Sequence, residues 1–381
     1  MSVDQSRIVI IGAGASGRGH LGQVAHAAGW SITFIDRDRN LVDILQRSGT
    51  FTVGLAGEQV EDVVVTGFRS LHVDDIDACA NAIAEADIVA TCVLPTNLPS
   101  TTATFAAGFR RRQELGVEKP LNVIAAENME RSTSVLLGFL REGAPQLDWQ
   151  WIEAHTGFPD SMIARAVPVP KTPLFLISEK TQEWSVDLKG LQEPMPRMAG
   201  MTLSPNQDAA LEKKLYIKNT GHMAIGILGY LAGYELMDQA MRDPGIFDLV
   251  DRATQESAAA VIRKHRFDAD EIERYRSGFL EAMKSPFLPD EIIRVIRQPL
   301  RKLTREERLV GPAMLACEQG TRPEALAAVI AKALTLAIPD DHQCQELQEL
   351  MNTLAPDVVL EKVADVPRDH RLAKMVAEIV Q

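Results

Sequence analysis

Cysteine is scarce in this chain of 381 residues: Cys79, Cys92, Cys317 and Cys344 stand far apart, with no CxxC pair and no Cys/His grouping. Such spacing excludes a disulfide framework and a structural zinc, and points to a reducing cytoplasm. His26, His72, His265, His342 and His370 likewise lack acidic or cysteine partners at metal spacing, so no metal site is expected. Positive charge is in deficit too. Forty basic against 52 acidic residues leave a net charge of −12, which argues against a nucleic-acid or anionic-membrane partner. The longest apolar run, Met223 to Tyr234, falls short of the ~20 residues of a membrane span. It reads instead as a buried helix in which Gly226, Gly229 and Gly233 allow close packing. No signal-peptide core follows Met1, and repeats and low-complexity tracts are absent. Nothing in the chain specifies an oligomeric state.

What is present begins with a glycine turn. The apolar run Arg7 to Ile11 ends in Gly12-Ala-Gly14-Ala-Ser-Gly17, followed by a helical stretch that closes at Gly29. In a strand, turn and helix of this order, the first glycine allows the tight turn and the second lets the backbone approach a pyrophosphate. The third lets the helix pack on the strand, with its N-terminus facing the phosphates. A second strand, Ser31 to Ile35, delivers Asp36, placed to bond a ribose 2'-hydroxyl and to repel a 2'-phosphate, which favours NAD over NADP. Arg37 and Arg39 work against that preference. A glycine turn alone also suits a methyltransferase or a sugar-nucleotide enzyme; strand, helix and acid together specify a dinucleotide.

Further strand-like runs at Ile88 to Cys92 and Leu121 to Ala126 alternate with helical stretches, as a parallel sheet requires. Phe51 to Val53 and Gln59 to Thr66 read as an inserted hairpin, and Trp149 to Glu153 as one more strand. Prolines at 168, 170, 173, 194, 196 and 205 exclude a long helix and suit a connector. Beyond it the pattern is helical to Val380. The expected fold is α/β, a doubly wound Rossmann-type domain over residues 1–200 followed by a mostly α-helical domain over 201–381.

The second motif is Lys214-Leu-Tyr-Ile-Lys-Asn219-Thr-Gly-His222. At about 100° per residue on an α-helix, Asn219 and His222 lie within about 140° and 80° of Lys214, so the three can converge. A lysine that removes a proton from an alcohol, with amide and imidazole donors holding the oxygen, is one use of such a cluster. The plain alternative is a polar helix start with solvated lysines, the role expected of Lys213 and Lys218. Asn128 follows a strand at its C-terminal end, where open α/β sheets place ligands, or else caps the helix beginning near Arg131. Glu127 beside it could touch the nicotinamide ribose or solvate a turn. Asp160 and Arg165 lie in a Gly/Pro-flanked loop and suit either substrate binding or a surface salt bridge. Arg297, Arg301 and Lys302 form a compact cationic set that could hold a phosphate or form a solvated basic turn.

Nearly end to end the chain resembles the polyol-specific long-chain dehydrogenases. The anchors are Gly12 to Gly19, Ala126-Glu-Asn-Met129, Thr156-Gly-Phe-Pro-Asp-Ser161, Lys214 to His222, Phe267-Asp-Ala-Asp270 and Arg297-Gln-Pro-Leu-Arg-Lys-Leu303. The Lys-x4-Asn-x2-His spacing is that family's signature. The resemblance implies Lys214 as general base, Asn219 and His222 on the reacting oxygen, and Asn128 completing the oxyanion site. It implies hydride transfer to NAD without a metal, and mannitol 1-phosphate and fructose 6-phosphate as the substrate pair. Two positions depart from the family: Met162-Ile-Ala-Arg165 lacks an Asp before the Arg, and Ile296 stands where a Gly is common. Within enzymes the rival is a dehydrogenase of an unphosphorylated polyol or a sugar acid. Outside them it is a silent NAD-binding sensor, against which the intact triad and the lack of a DNA-binding basic region both speak.

Overall fold

The computed structural model describes residues 5–380, which fold as two compact units divided between Ala210 and Leu211. Among the described residues the first carries twelve strands: β1 (Arg7–Ile11), β2 (Ser31–Asp36), β3 (Thr50–Ala56), β4 (Val60–Thr66), β5 (Arg69–His72), β6 (Ile88–Thr91), β7 (Leu121–Ala125), β8 (Thr156–Gly157), β9 (Ser161–Ala164), β10 (Phe175–Glu179), β11 (Glu183–Asp187) and β12 (Met201–Ser204). Six form one parallel sheet in the order β5-β2-β1-β6-β7-β8. Counted among themselves, that is the 3-2-1-4-5-6 order of a doubly wound dinucleotide fold, whose direction reverses between β1 and β6.

Side-chain alternation explains why both faces of this sheet are covered. Ile8 and Ile10 of β1 join Phe34, Ile88 and Ile124 in one core, whereas Val9 and Ile11 join Ile35, Val89 and Val123 in the other. The expected hairpin is present as antiparallel β3 and β4, with β10 added in parallel to β3. The proline-rich stretch contains no helix, as expected, but it is more than a connector. Besides β10 it supplies β11 and β12, which form a third sheet with β9 in the order β12-β11-β9.

One expected strand is a helix. Trp149–His155 is helical because the Asp148 side chain caps it, accepting from the Trp151 N–H at 3.0 Å. The alternating tryptophans imitate a strand, but the sixth strand of the sheet comes afterwards, at Thr156. His155 therefore ends a helix rather than following a strand, with Nδ1 2.8 Å from the Trp151 carbonyl.

The second unit is helical throughout its regular elements. Its long helix Pro244–His265 packs against Thr220–Leu231, Val310–Glu318 and Glu324–Ala333. Thr220–Leu231 is largely buried, with Leu231 exposed at its end. A Cβ at Gly226 would lie 2.7 Å from Ile296, and one at Gly229 would lie 2.6 Å from Ile292, so these two do serve close packing. Gly233, by contrast, follows the helix end with φ +84° and meets nothing nearby. Among the described residues no helix is long and apolar enough to cross a membrane.

Candidate active site

In the first unit the glycine turn follows β1 directly. Gly12 has φ +101°, and a Cβ there would sit 2.5 Å from the Cys92 carbonyl oxygen; one at Gly17 would sit 1.9 Å from the Gly12 oxygen. Neither position tolerates a side chain. Gly14 faces open space, the gap through which a pyrophosphate could approach the backbone. The helix after it opens as a π-helical turn, Gly17–Gly22, before continuing as Gln23–Ala27. Arg18, which the sequence did not single out, is buried in this turn. Its Nε donates to the Ala13 carbonyl at 2.6 Å, its Nη1 to Pro173, and its guanidinium lies 5.6 Å from the Phe51 ring centre. Burial pushes it down to about 10, against the nearby Asp36 charge.

Asp36 ends β2 and ties the turn to it, Oδ2 accepting from the Ala13 N–H at 2.6 Å and Oδ1 from the Asp38 N–H at 2.8 Å. A carboxylate offers about four acceptor positions, so ribose hydroxyls could still be taken. Arg39 is drawn toward β5, 2.9 Å from His72 Nδ1 and 3.3 Å from Asp74. It is thereby less available for a 2'-phosphate than its place in the sequence suggests. The open cradle at Gly14 and the acid at the end of β2 fit NAD.

Glu127 is buried just past β7. Its two oxygens accept from Thr91 Oγ1 at 2.8 Å and from the Val93 N–H at 2.9 Å. Burial raises its carboxyl above the ordinary value, and these hydrogen bonds oppose the rise. The Met129 N–H donates to the Glu127 carbonyl, so Asn128 stands at the apex of a tight turn at the carboxyl end of the sheet. For the helix Ser132–Gly143, the N–H of Ser134 is taken by Asp160 at 2.9 Å; Asp160 thus serves a helix N-terminus. Arg165 is also engaged, donating from Nε to the Glu179 carbonyl at 2.6 Å and from Nη1 to Gln23 at 2.7 Å. Burial lowers it to about 10 while Glu179 opposes.

In the second unit Lys214–Asn219 is a π-helical turn, not the α-helix assumed from the spacing. Bonding from i to i+5 sets residues five apart one above the other, so Asn219 comes onto the face of Lys214 and Lys218 onto that of Lys213. Lys213 and Lys218 accordingly share one partner, their ammoniums 4.4 and 4.7 Å from the Tyr275 ring centre, rather than being simply solvated. Tyr216 pins the turn: a Cβ at Gly311 would lie 2.5 Å from its hydroxyl. Past Asn219 the chain returns to α-helix, and His222 follows three residues on, on the same side. Lys214, Asn219 and His222 are each half-buried. His222 Nε2 lies 3.4 Å from Asp290 Oδ2.

The basic segment is bent by Gln298, at φ +58°, whose N–H donates to Asp341 at 2.9 Å and whose side-chain oxygen accepts from Arg301 at 3.2 Å. Burial alone would raise Asp341, but three backbone N–H groups and the charge of Arg297 bring it below the ordinary range. Arg297 and Arg301 are exposed, and Arg301 also faces Glu307 at 3.6 Å. Lys302 is buried, its Nζ donating to the Val295 carbonyl at 2.6 Å. Burial first, then Arg308 and Arg301, push it down to about 7. The three cations therefore differ in kind: two exposed guanidiniums and one enclosed amine. Among the described residues no group of three or more His, Cys, Asp or Glu could hold a metal ion.

Residues 6–200 match the Mannitol dehydrogenase Rossmann domain, and residues 208–381 the Mannitol dehydrogenase C-terminal domain. The chain belongs to the mannitol dehydrogenase family. These are NAD-dependent polyol dehydrogenases. Among curated relatives, the mannitol-1-phosphate 5-dehydrogenase of Brevibacillus brevis is 35% identical over 376 residues, covering 97% of this chain and 96% of that one. In fold the chain is similar to Pseudomonas fluorescens mannitol 2-dehydrogenase in ternary complex with NAD and D-mannitol, with a TM-score of 0.73 at 19% identity over 99% of this chain and 91% of that one. A D-sorbitol dehydrogenase in substrate-free form gives 0.80 at 17% identity over 99% and 92%. The sequence singled out Lys214, Asn219 and His222, but not Arg18, Tyr275 or Asp290. Each of these lies far in sequence from the groups it holds or at a position that reads as surface charge, and only the tertiary contacts single it out.

Proposed function

We propose that the chain oxidises a phosphorylated polyol reversibly, with mannitol 1-phosphate and fructose 6-phosphate as the pair, using a lysine base and no metal. The observation that carries this reading is the π-helical turn, which stacks Asn219 on Lys214 and leaves His222 on the same side. When bound, NAD supplies the hydride acceptor. The chain's part is to take the hydroxyl proton at Lys214 Nζ and to hold the oxygen through Asn219 and His222; each such donor is commonly worth ~3 kcal/mol. Lys214 must be neutral to act, which asks that its pKa fall from about 10.4 toward 7 to 8.

In the first unit, Asn128 is the proposed donor to the substrate oxygen, and Gly12, Gly14, Gly17, Asp36 and Glu127 the proposed cofactor residues. Arg297, Arg301 and Lys302 are proposed to hold the phosphate. Asp160, bonded to Ser134, and Arg165, bonded to the Glu179 carbonyl and Gln23, are proposed substrate-site residues held in place by these neutral partners. The name of the Brevibacillus relative supports a phosphorylated substrate, and four free cysteines fit a cytoplasmic enzyme. The deciding experiment is a screen of free and phosphorylated polyols and sugar acids with NAD and NADP, following absorbance of the reduced cofactor. Turnover of mannitol 1-phosphate well above that of mannitol is expected. Preference for a free polyol or a sugar acid would overturn the substrate, and no turnover at all would favour an NAD-binding sensor.

A further inference from the structure

His222 is held from a side that the proposed chemistry does not use. Its ring meets Phe279 edge-on, centroids 5.5 Å apart at 85°, and its Nε2 stands 3.4 Å from Asp290 Oδ2. Asp290 is only 3% exposed, a degree of burial that carboxylates reach almost only when paired. Arg294 pairs with it, Nη2 donating to Oδ1 at 2.6 Å and to Oδ2 at 2.7 Å, and Nε to Oδ1 at 2.9 Å. The backbone is stitched as well: the Met237 N–H donates to the Asp290 carbonyl, and the Ile292 N–H to that of Glu235, both at 3.0 Å. The carboxylate is thus fixed from two directions, with the imidazole before it.

We propose that Asp290 is a positioning residue for His222, its carboxylate facing Nε2 and so favouring the tautomer protonated there and setting the ring's orientation. The inference rests on the reading of His222 as a residue that contacts substrate. An ionised carboxylate only accepts, so the nitrogen facing it must carry the proton. Nδ1 then becomes a donor to the substrate oxygen only when the ring is protonated, and the imidazolium that holds the oxygen is the form whose charge Asp290 compensates. Arg294 balances the carboxylate, so His222 is not forced into the charged form before substrate arrives.

The full chain labelled with 15N-histidine tests this, the His222 signals being assigned by their loss in His222→Gln. Wild type should show the neutral ring protonated at Nε2. Asp290→Ala should move the proton toward Nδ1 or mix the tautomers, and lower kcat by roughly 10- to 100-fold, as loss of a histidine's orienting partner does elsewhere, with the KM for NAD little changed. Arg294→Met, which breaks the same anchor but leaves the carboxylate, should keep Nε2 protonated. Should Asp290→Ala fail to fold, Asp290→Asn keeps the shape without the charge, and should lower both kcat and the pH at which His222 titrates. Unchanged His222 signals, or unchanged kcat, in the folded Asp290 variant would overturn the proposal. Full turnover in His222→Gln would instead defeat the catalytic reading of His222, while the tautomer still reports on the Asp290 contact.

Discussion

Lys302→Met separates a binding role from a structural one, because the same burial that would aim this amine at a phosphate must destabilise the empty protein. The ammonium is pushed from an ordinary 10.5 to about 7, and at about 1.4 kcal/mol per pKa unit the charged form costs on the order of 4 to 5 kcal/mol. The folded value lies below the unfolded one, so between about pH 7 and 10.5 the unfolded chain binds more protons and stability rises with pH. The full cost applies below pH 7, and about 2.7 kcal/mol of it is recovered by pH 9. Methionine removes the charge but leaves the Val295 carbonyl without its 2.6 Å donor, a loss of about 1 to 3 kcal/mol. The variant should therefore be the more stable protein at pH 6, by about 2 to 3 kcal/mol, and should lose that lead by pH 9. Calorimetry would read the lead as about 5 to 10 °C in the unfolding of the second unit. Inorganic phosphate at pH 7 should protect wild type more than the variant, because a bound anion favours the charged lysine. Melting curves that stay parallel from pH 6 to 9 would refute the titration, and equal protection by phosphate would refute the anion-binding role.

Lys214→Met should lower turnover at least ~100-fold while NAD affinity, measured by titration of the variant, stays nearly unchanged; near-normal turnover would remove the lysine base. Asp36→Ala should narrow the gap in kcat/KM between NAD and NADP, but not reverse it, because Arg39 is already engaged by His72 and Asp74 and leaves Arg37 alone for a 2'-phosphate. A full switch to NADP would contradict that account. Arg301→Ala should raise the KM for mannitol 1-phosphate about 10- to 100-fold, the equivalent of a lost charge-assisted bond of about 1.5 to 3 kcal/mol, and leave that for mannitol nearly unaltered; an equal rise for both would exclude a phosphate contact.

What could be read from the sequence is what has a local signature. Strand periodicity and the glycine turn specified the doubly wound sheet, since Gly12 and Gly17 sit where any side chain would strike backbone. The tryptophan stretch misled because alternation at Trp149 and Trp151 carries no sign of the Asp148 cap, which decides for helix. β10, β11 and β12 were hidden by the prolines that flank them, and the partners of β10 and β11 lie as far off as Thr52 and Ile163. The lysine motif shows the limit most clearly. Its spacing allows convergence, but at 100° per residue Lys214 and Asn219 stand about 140° apart, and Lys213 with Lys218 equally so. A π-helical turn corrects both offsets at once: it brings each pair into line, and sets the two cations on Tyr275 beside the face that carries the proposed base. The residues that hold that turn, Tyr216 under Gly311 and Tyr275 under the lysines, share no periodicity with it. A widened turn is costly in an isolated helix, so its presence here reflects tertiary packing, which the spacing of one segment cannot encode.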